Sequence, residues 1–252
     1  MRDALPFDKI THSGEGDQWL RVDWSLTNVC NYRCAYCGPN LHDGSAPPHE
    51  MSVLKRFCDN VQTYASRQNK RVLFGFAGGE VTYLHYFTEL LEHIASQKGL
   101  VTIVSNASSP LSWWRRNVKY LHYVTLSLHC DQMKNFEHFK QVAKLVSDAP
   151  TTGLHISIMM DPKHFDRSVE FAEELKQDVR ASIALMPLFH GFGTRHPKTR
   201  FSYTADQENR MKAFKGEETH KDIPVIRGGL CLTGYKGKEF ASSGDLIIQG
   251  LN

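Results

Sequence analysis

Three cysteines stand close together near the start of the chain, within the segment CNYRCAYC at residues 30–37. Thiols at this spacing can converge on one metal centre, whereas disulfide bonds would pair two of them and leave the third alone. The next cysteine is Cys58, so no fourth thiol follows at matching spacing. The segment therefore predicts a soft-metal cluster with one iron left open, and an open position indicates a ligand and chemistry.

The spacing CxxxCxxC, with the aromatic Tyr36 directly before the last cysteine, resembles the signature of the radical S-adenosylmethionine (SAM) superfamily. The resemblance implies a [4Fe-4S] cluster held by Cys30, Cys34 and Cys37, whose unique iron binds the amino and carboxylate groups of SAM. It also implies that Tyr36 belongs to the cofactor-binding residues. An enzyme of this kind cleaves SAM reductively to a 5'-deoxyadenosyl radical, which takes a hydrogen atom from a substrate.

A different interpretation of the same thiols remains open at this point. They can form a structural zinc site together with His12 or His42, which lie nearby in the chain. The alternative function is then a non-catalytic zinc or iron-sulfur binding module. Anaerobic reconstitution separates the two, because only the enzyme releases 5'-deoxyadenosine from SAM.

A glycine pair follows the second predicted strand, which covers residues 71–76 and runs into Gly78, Gly79 and Glu80. Paired glycines at a strand end let a ligand approach the backbone closely, and a carboxylate accepts hydrogen bonds. At this distance from the cysteines the triplet resembles the GGE motif of the family, which contacts the amino group of SAM. The family usually continues with proline, where this chain has Val81.

Small polar residues also stand at the ends of the third and fourth predicted strands. Ser105 and Asn106 follow the strand at 100–104, and Ser127 lies near the end of the strand at 124–128. They resemble the positions at which the family binds the ribose or the carboxylate of SAM. For Ser105 and Asn106 the alternative is an ordinary polar turn.

The periodicity of apolar residues alternates between that of strands and that of helices along most of the chain. The predicted strands lie at about residues 19–27, 71–76, 100–104, 124–128, 154–160 and 183–186. Helical patterns between them, beginning with residues 51–68, give each connection the length of a crossover. The pattern predicts an α/β fold, and the resemblance implies the partial (β/α)6 barrel of the family. We expect an irregular N-terminal arm at 1–17, the barrel at 18–203 and a C-terminal extension or tail at 204–252.

The segment after the sixth predicted strand is aromatic, rich in glycine and basic. Its cationic or titratable side chains are His190, Arg195, His196, Lys198 and Arg200, with no acidic residue among them. If this loop covers the barrel mouth, its charge favours a substrate that carries phosphate or carboxylate. His190 and Arg195 are the predicted substrate contacts, with Arg195 as the bidentate partner. The alternative is a solvated basic loop without a substrate role.

Composition narrows the class of protein. The 252 residues contain no apolar run long enough to cross a bilayer, and six cysteines without a secretion signal indicate a reducing compartment. We therefore expect a cytoplasmic enzyme without a membrane partner. A net charge of +3 does not by itself predict a nucleic-acid partner.

The sequence does not identify the substrate, and both small molecules and peptides remain open. The resemblance implies an electron donor such as a flavodoxin or a ferredoxin. Peptide-maturing members of the family carry a cysteine-rich C-terminal extension for further clusters, but Cys231 is the only cysteine after residue 130. Either the protein lacks auxiliary clusters or the sequence stops short of that region.

Overall fold

The computed structural model describes residues 19–190 and 199–214, together with the backbone of Leu246–Ile247. The predicted arm at 1–17, Arg195 and Cys231 lie outside the described residues. Within the described ranges the predicted alternation of strands and helices is confirmed.

Six parallel strands lie side by side in chain order and form the main sheet. They are β1 (Trp19–Ser25), β2 (Arg71–Ala77), β3 (Leu100–Ser105), β4 (Tyr123–His129), β5 (Gly153–Met160) and β6 (Ser182–Pro187). Since all six run in the same direction, their carboxyl ends lie at one edge of the sheet, which is the edge where α/β folds place their active sites.

A helix follows each of the first five strands and returns the chain to the start of the next one. These helices are α1 (Met51–Arg67), α2 (Phe87–Ser96), α3 (Leu111–Asn117), α4 (Phe136–Ser147) and α5 (Phe165–Asp178). Each of them buries an apolar face; in α1 that face includes Cys58, whose pKa burial raises to about 12. Cys58 is thus a small buried thiol in the packed face of this helix.

After β6 the chain forms a short antiparallel hairpin from β7 (Phe189–His190) and β8 (Thr199–Arg200), followed by α6 (Ala205–Ala213). The side chain of Thr204 caps α6 and accepts a hydrogen bond from the backbone N–H of Gln207. A final strand, β9 (Leu246–Ile247), pairs in parallel with β1 and adds a seventh strand to the sheet.

The two faces of the sheet differ in character. On the face that packs against the helices the side chains are apolar and buried. There the ring centroids of Trp24 and of Phe57 in α1 lie 4.5 Å apart. Side chains alternate between faces along a strand, so the residues in between point to the opposite, inner face. That face carries Asp23, Thr102 and Thr125, which keep partial access to solvent. No helix in the described part of the chain has the length and apolar character needed to cross a bilayer.

Candidate active site

The three cysteines lie on a loop that leaves the carboxyl end of β1, residues 27–46, named here the cysteine loop. The Asn28 side chain closes this loop. Its amide nitrogen lies 2.9 Å from the Asn40 carbonyl oxygen, 2.7 Å from Asp43 Oδ1 and 3.0 Å from Ser45 Oγ. Its amide oxygen accepts from the backbone N–H of Ala46 at 2.9 Å. One side chain therefore fixes both ends of the segment that presents the thiols.

The thiols themselves are partly or fully withdrawn from solvent. Cys34 is 4% exposed, whereas Cys30 and Cys37 are half-buried. Burial raises the pKa of Cys30. The backbone N–H of Tyr32 opposes this rise, because it donates a hydrogen bond to the Cys30 sulfur at 3.4 Å. A hydrogen bond between Cys34 and Cys37 raises the pKa of Cys34 and lowers that of Cys37. The backbone N–H of Cys37 also donates to the Cys34 carbonyl oxygen at 3.0 Å, which brings the two residues together.

The donor arrangement bears on the zinc alternative. Within residues 19–190 and 199–214, no three Cys, His, Asp or Glu side chains are grouped to hold one metal ion. His42 is engaged by Arg33, whose guanidinium lies 3.3 Å from its Nδ1 and donates to its carbonyl oxygen at 2.9 Å. His12 lies outside the described residues. The described residues therefore provide no mononuclear zinc site around these thiols.

The glycine turn, residues 78–80, packs directly on the cysteine loop. Gly78 and Gly79 have φ angles of 85° and 55°, a region that favours glycine. A Cβ atom on Gly79 would lie 2.3 Å from the carbonyl oxygen of Val29, which also accepts from the backbone N–H of Glu80 at 2.7 Å. Only a glycine permits this close approach of the two segments.

The Glu80 carboxylate is 0% exposed and receives four hydrogen bonds from the protein. Oε1 accepts from the backbone N–H of Thr82 at 3.2 Å, from its hydroxyl at 2.6 Å, and from the Ser105 hydroxyl at 2.8 Å. Oε2 accepts from the backbone N–H of Asn106 at 2.6 Å. Burial raises the pKa of the Glu80 carboxyl, and these hydrogen bonds oppose that rise. The carboxylate therefore joins the end of β2 to the end of β3.

Asn106 extends this connection to the cysteine loop. Its amide nitrogen donates to Asn31 Oδ1 at 2.9 Å and lies 3.9 Å from the sulfur of Cys30. Its amide oxygen accepts from the backbone N–H of Ser108 at 3.0 Å. The polar turn after β3 is thus tied to both the glycine turn and the cysteines, which an isolated surface turn would not be.

The end of β4 contacts the cysteine loop through His129. Its Nδ1 lies 2.5 Å from the Tyr36 hydroxyl and 3.4 Å from the sulfur of Cys34, and its Nε2 lies 2.9 Å from the Ser127 hydroxyl. His129 is not among the predicted site residues. A signal was present, because His129 stands two residues after Ser127 on a strand and therefore points to the same face.

The hairpin after β6 also reaches the cysteine loop. Leu188, between β6 and the hairpin, and Phe201, directly after it, belong to an apolar cluster that includes Cys34 and Tyr36. His190 is exposed and stacks on Phe201 with ring centroids 3.8 Å apart. The structure thus brings His190 near the other predicted site residues.

One expectation about this basic segment needs correction. No acidic residue occurs within residues 190–200, but the guanidinium of Arg200 forms two hydrogen bonds with the Glu208 carboxylate, at 2.5 and 3.1 Å. Glu208 lies in α6, and its pairing with Arg200 depends on the chain turning back after the hairpin. Arg200 is therefore not a free cation, whereas Arg195 lies outside the described residues.

Comparison with known proteins assigns the family. Residues 24–198 match the Radical SAM superfamily, and the chain belongs to it. It is 27% identical over 159 residues to a GTP 3',8-cyclase of Aeromonas hydrophila, which covers 58% of this chain and 35% of that protein. It is 34% identical over 89 residues to a GTP 3',8-cyclase of Haemophilus ducreyi, which covers 33% of this chain and 24% of that protein. The chain thus spans only a quarter to a third of these curated relatives.

A solved structure supports the same fold. The crystal structure of Streptococcus suis SuiB bound to the precursor peptide SuiA aligns with a TM-score of 0.52 and 19% sequence identity. The alignment covers 78% of this chain and 44% of SuiB. This likeness confirms the predicted partial barrel.

Membership of the superfamily establishes the cofactors and the class of chemistry. Radical SAM proteins use a [4Fe-4S] cluster and SAM, so the predicted cofactors are confirmed and the chain is an enzyme. Membership of the superfamily favours the enzyme over the alternative of a non-catalytic metal-binding module. The role of each site residue and the identity of the substrate are separate questions, which the family does not answer.

The contact between the glycine turn and the cysteine loop gives a first prediction. Gly79→Ala should displace the cysteine loop and reduce the iron content after anaerobic reconstitution, since its Cβ meets the Val29 backbone. Gly44→Ala is the matched control. Gly44 lies in the cysteine loop with φ 73°, but its Cβ would meet only a side-chain carbon of Val29 at 3.7 Å.

Both variants incur the left-handed backbone cost of about 1–2 kcal/mol, which thermal unfolding will measure. Both variants should be destabilised alike, but only Gly79→Ala should contain less iron than wild type after reconstitution. Equal iron content in the two variants would contradict the close packing described here.

Proposed function

We propose that Cys30, Cys34 and Cys37 hold the [4Fe-4S] cluster and that the surrounding strand ends bind SAM. When bound, the cluster supplies the electron that cleaves SAM to methionine and a 5'-deoxyadenosyl radical, which abstracts hydrogen from the substrate. The observation that carries this assignment is the attachment of the cysteine loop to the ends of β2, β3 and β4. All the chemistry-bearing residues therefore meet at one edge of the sheet.

The donor set fits a cluster with one open iron. Three thiols lie on one loop, and the other two described cysteines are committed elsewhere. Cys58 is fully buried under the sheet, and Cys130 accepts a hydrogen bond from the Ser168 hydroxyl at 3.1 Å. Since each thiolate of such a cluster binds a different iron, the three sulfurs need not converge on a single point.

The described contacts divide the predicted SAM residues into two groups. The backbone of Gly78 and Gly79 is half-buried and accessible at the turn. The Glu80 carboxylate is fully buried and already accepts four hydrogen bonds, which leaves it little capacity for a ligand. We assign contact with the SAM amino group to the glycine backbone, and to Glu80 the role of holding that backbone in place.

The remaining predicted SAM residues are nearly buried and contact one another through hydrogen bonds. Ser105 donates to Glu80, and Ser127 contacts His129 and the Ser105 carbonyl oxygen at 3.3 Å. Such preformed polar groups lose little conformational freedom when a ligand binds. We propose that Ser127 and Asn106 contact SAM and that Tyr36 closes the site from the cysteine loop.

The inner face of the sheet indicates the kind of substrate. In closed α/β barrels the interior is filled by branched apolar side chains. Here the inner face carries small or polar residues beside larger ones such as Leu73 and Tyr123; they are Gly75, Ala77, Thr102, Thr125, Ser157, Ser182 and Ala184. Arg21 and Asp23 form an ion pair on the same face, with Nε 2.9 Å from Oδ1. These polar side chains offer hydrogen-bonding groups to a polar substrate.

We propose an anionic small molecule as that substrate. Phe201 contacts the cysteine loop and His190 stacks on Phe201, and Arg195 remains the predicted bidentate group. The relatives named GTP 3',8-cyclase act on a triphosphate, which is also an anionic small molecule. SuiB was solved with a precursor peptide, but its 19% identity supports the fold alone. The proposal includes a flavodoxin or ferredoxin as the electron donor.

Cysteine substitution tests the ligand set. Cys34→Ala should abolish assembly of a cluster of about four irons and four sulfides, because it removes a ligand, and should stop release of 5'-deoxyadenosine from SAM. Cys58→Ala is the matched control, since it removes a buried thiol of the same chain that is no ligand. Iron, sulfide and 5'-deoxyadenosine are measured after anaerobic reconstitution. A Cys34→Ala protein with full iron content would overturn the assignment.

A substrate screen tests the proposed class. Reconstituted enzyme is incubated with SAM, dithionite and fractionated pools of nucleotides, other phosphorylated metabolites or peptides, and substrate-dependent 5'-deoxyadenosine is quantified. The proposal predicts stimulation by a phosphate- or carboxylate-bearing small molecule. Stimulation by the peptide pool alone would contradict it and favour a peptide-modifying enzyme.

Arg195 is tested with the anion that this screen identifies. Arg195→Ala should raise the KM for that anion and lower the ratio of coupled turnover to uncoupled SAM cleavage, because a positive charge at the mouth is lost. The difference from wild type should grow at low salt, where screening is weak. Arg200→Ala is the control, since its charge is already paired with Glu208. Equal KM values for wild type and Arg195→Ala at every salt concentration would show that Arg195 binds no substrate.

A further inference from the structure

His129 occupies an unusual position between the cysteine loop and the sheet. It is half-buried, and each of its ring nitrogens faces a defined partner. Nδ1 lies 2.5 Å from the Tyr36 hydroxyl and 3.4 Å from the sulfur of Cys34, whereas Nε2 lies 2.9 Å from the Ser127 hydroxyl. The planes of the Tyr36 and His129 rings are 9° apart. The ring is therefore fixed in orientation from both sides.

The partners of the ring determine where its proton lies. A Cys34 sulfur that binds iron is a thiolate and can only accept hydrogen bonds. A lone pair on Nδ1 at 3.4 Å would repel that thiolate, whereas an N–H would donate to it. The Tyr36 hydroxyl has its own acceptor, Asp131 Oδ1, at 3.4 Å, and can therefore accept from Nδ1 as well.

The other ring nitrogen is consistent with this arrangement. With the proton on Nδ1, Nε2 carries a lone pair and accepts from the Ser127 hydroxyl. In the opposite tautomer Nε2 donates to Ser127, and Ser127 donates to the Ser105 carbonyl oxygen at 3.3 Å. The Tyr36 hydroxyl also forms a hydrogen bond that lowers the pKa of Cys34, and the first tautomer adds the Nδ1–H as a donor from the ring.

We infer that His129 is a positioning residue that donates its Nδ1–H to the sulfur of Cys34 and to Tyr36, and thereby sets the reduction potential of the cluster. The inference rests on the cluster ligation proposed above. A hydrogen bond to a cluster sulfur stabilises the more negative, reduced state and so raises the potential.

The variants His129→Asn and His129→Gln test this inference, because they place the side-chain amide at different distances from the backbone. In His129→Asn the amide nitrogen can take the place of Nδ1, whereas in His129→Gln it can take the place of Nε2. The midpoint potential of the cluster is measured by redox titration followed by electron paramagnetic resonance, without SAM or substrate. His129→Asn should keep a potential close to wild type, and His129→Gln should have a lower one.

Vibrational spectra give a second readout that does not depend on turnover. The iron–sulfur(Cys) stretching bands in resonance Raman spectra should shift in His129→Gln and stay near wild type in His129→Asn, because a hydrogen bond weakens the metal–thiolate bond. His138→Leu is the matched control. This half-buried histidine also bridges neighbouring segments, with Nε2 near the Ala107 and Ser109 carbonyl oxygens, but it has no described contact with a cysteine.

The outcomes separate this inference from the proposed function. If wild type takes up no cluster, the proposed ligation fails. If all variants carry the cluster but His129→Gln has the potential and the spectrum of wild type, His129 does not donate to the sulfur. Identical downward shifts in the Asn and Gln variants would also overturn the inference, since the Nδ1 position would then not matter.

Discussion

The site depends on the hydrogen bonds that the buried Glu80 carboxylate accepts. A carboxylate removed from water is costly unless it is fully hydrogen-bonded, and each donor left without a partner would cost about 1–3 kcal/mol. Thr82, Ser105 and Asn106 supply those hydrogen bonds from two different strand ends. The same residue uses its backbone N–H to bind Val29 in the cysteine loop. Three segments are thus held together through one side chain and its own peptide group.

The geometry of the sheet explains why these segments can meet. Six parallel strands in chain order place every carboxyl end at one edge, so each crossover helix returns the chain to deliver one more polar turn there. The cysteine loop then lies across β2, β3 and β4 and is closed by Asn28. The inner face below it is polar and partly open to solvent, in contrast to the packed face against the helices.

The sequence predicted the strands, the helices and the positions of the motifs because apolar periodicity and glycine pairs are local signals. It could not predict which polar groups pair across strands. The hydrogen bond from Ser105 to Glu80 joins residues that are 25 positions apart in the chain. The contact of His129 with Cys34 joins residues that are 95 positions apart. The pairing of Arg200 with Glu208, eight positions away, also could not be predicted, because it requires α6 to fold back on the hairpin.

We propose that three cysteines of one loop leave one iron open to SAM at this edge of the sheet. The most direct test is Mössbauer spectroscopy of the ⁵⁷Fe-reconstituted enzyme before and after addition of SAM. We expect the signal of about one iron in four to change its isomer shift when SAM binds. A spectrum that SAM leaves unchanged, recorded on an intact [4Fe-4S] cluster, would contradict it.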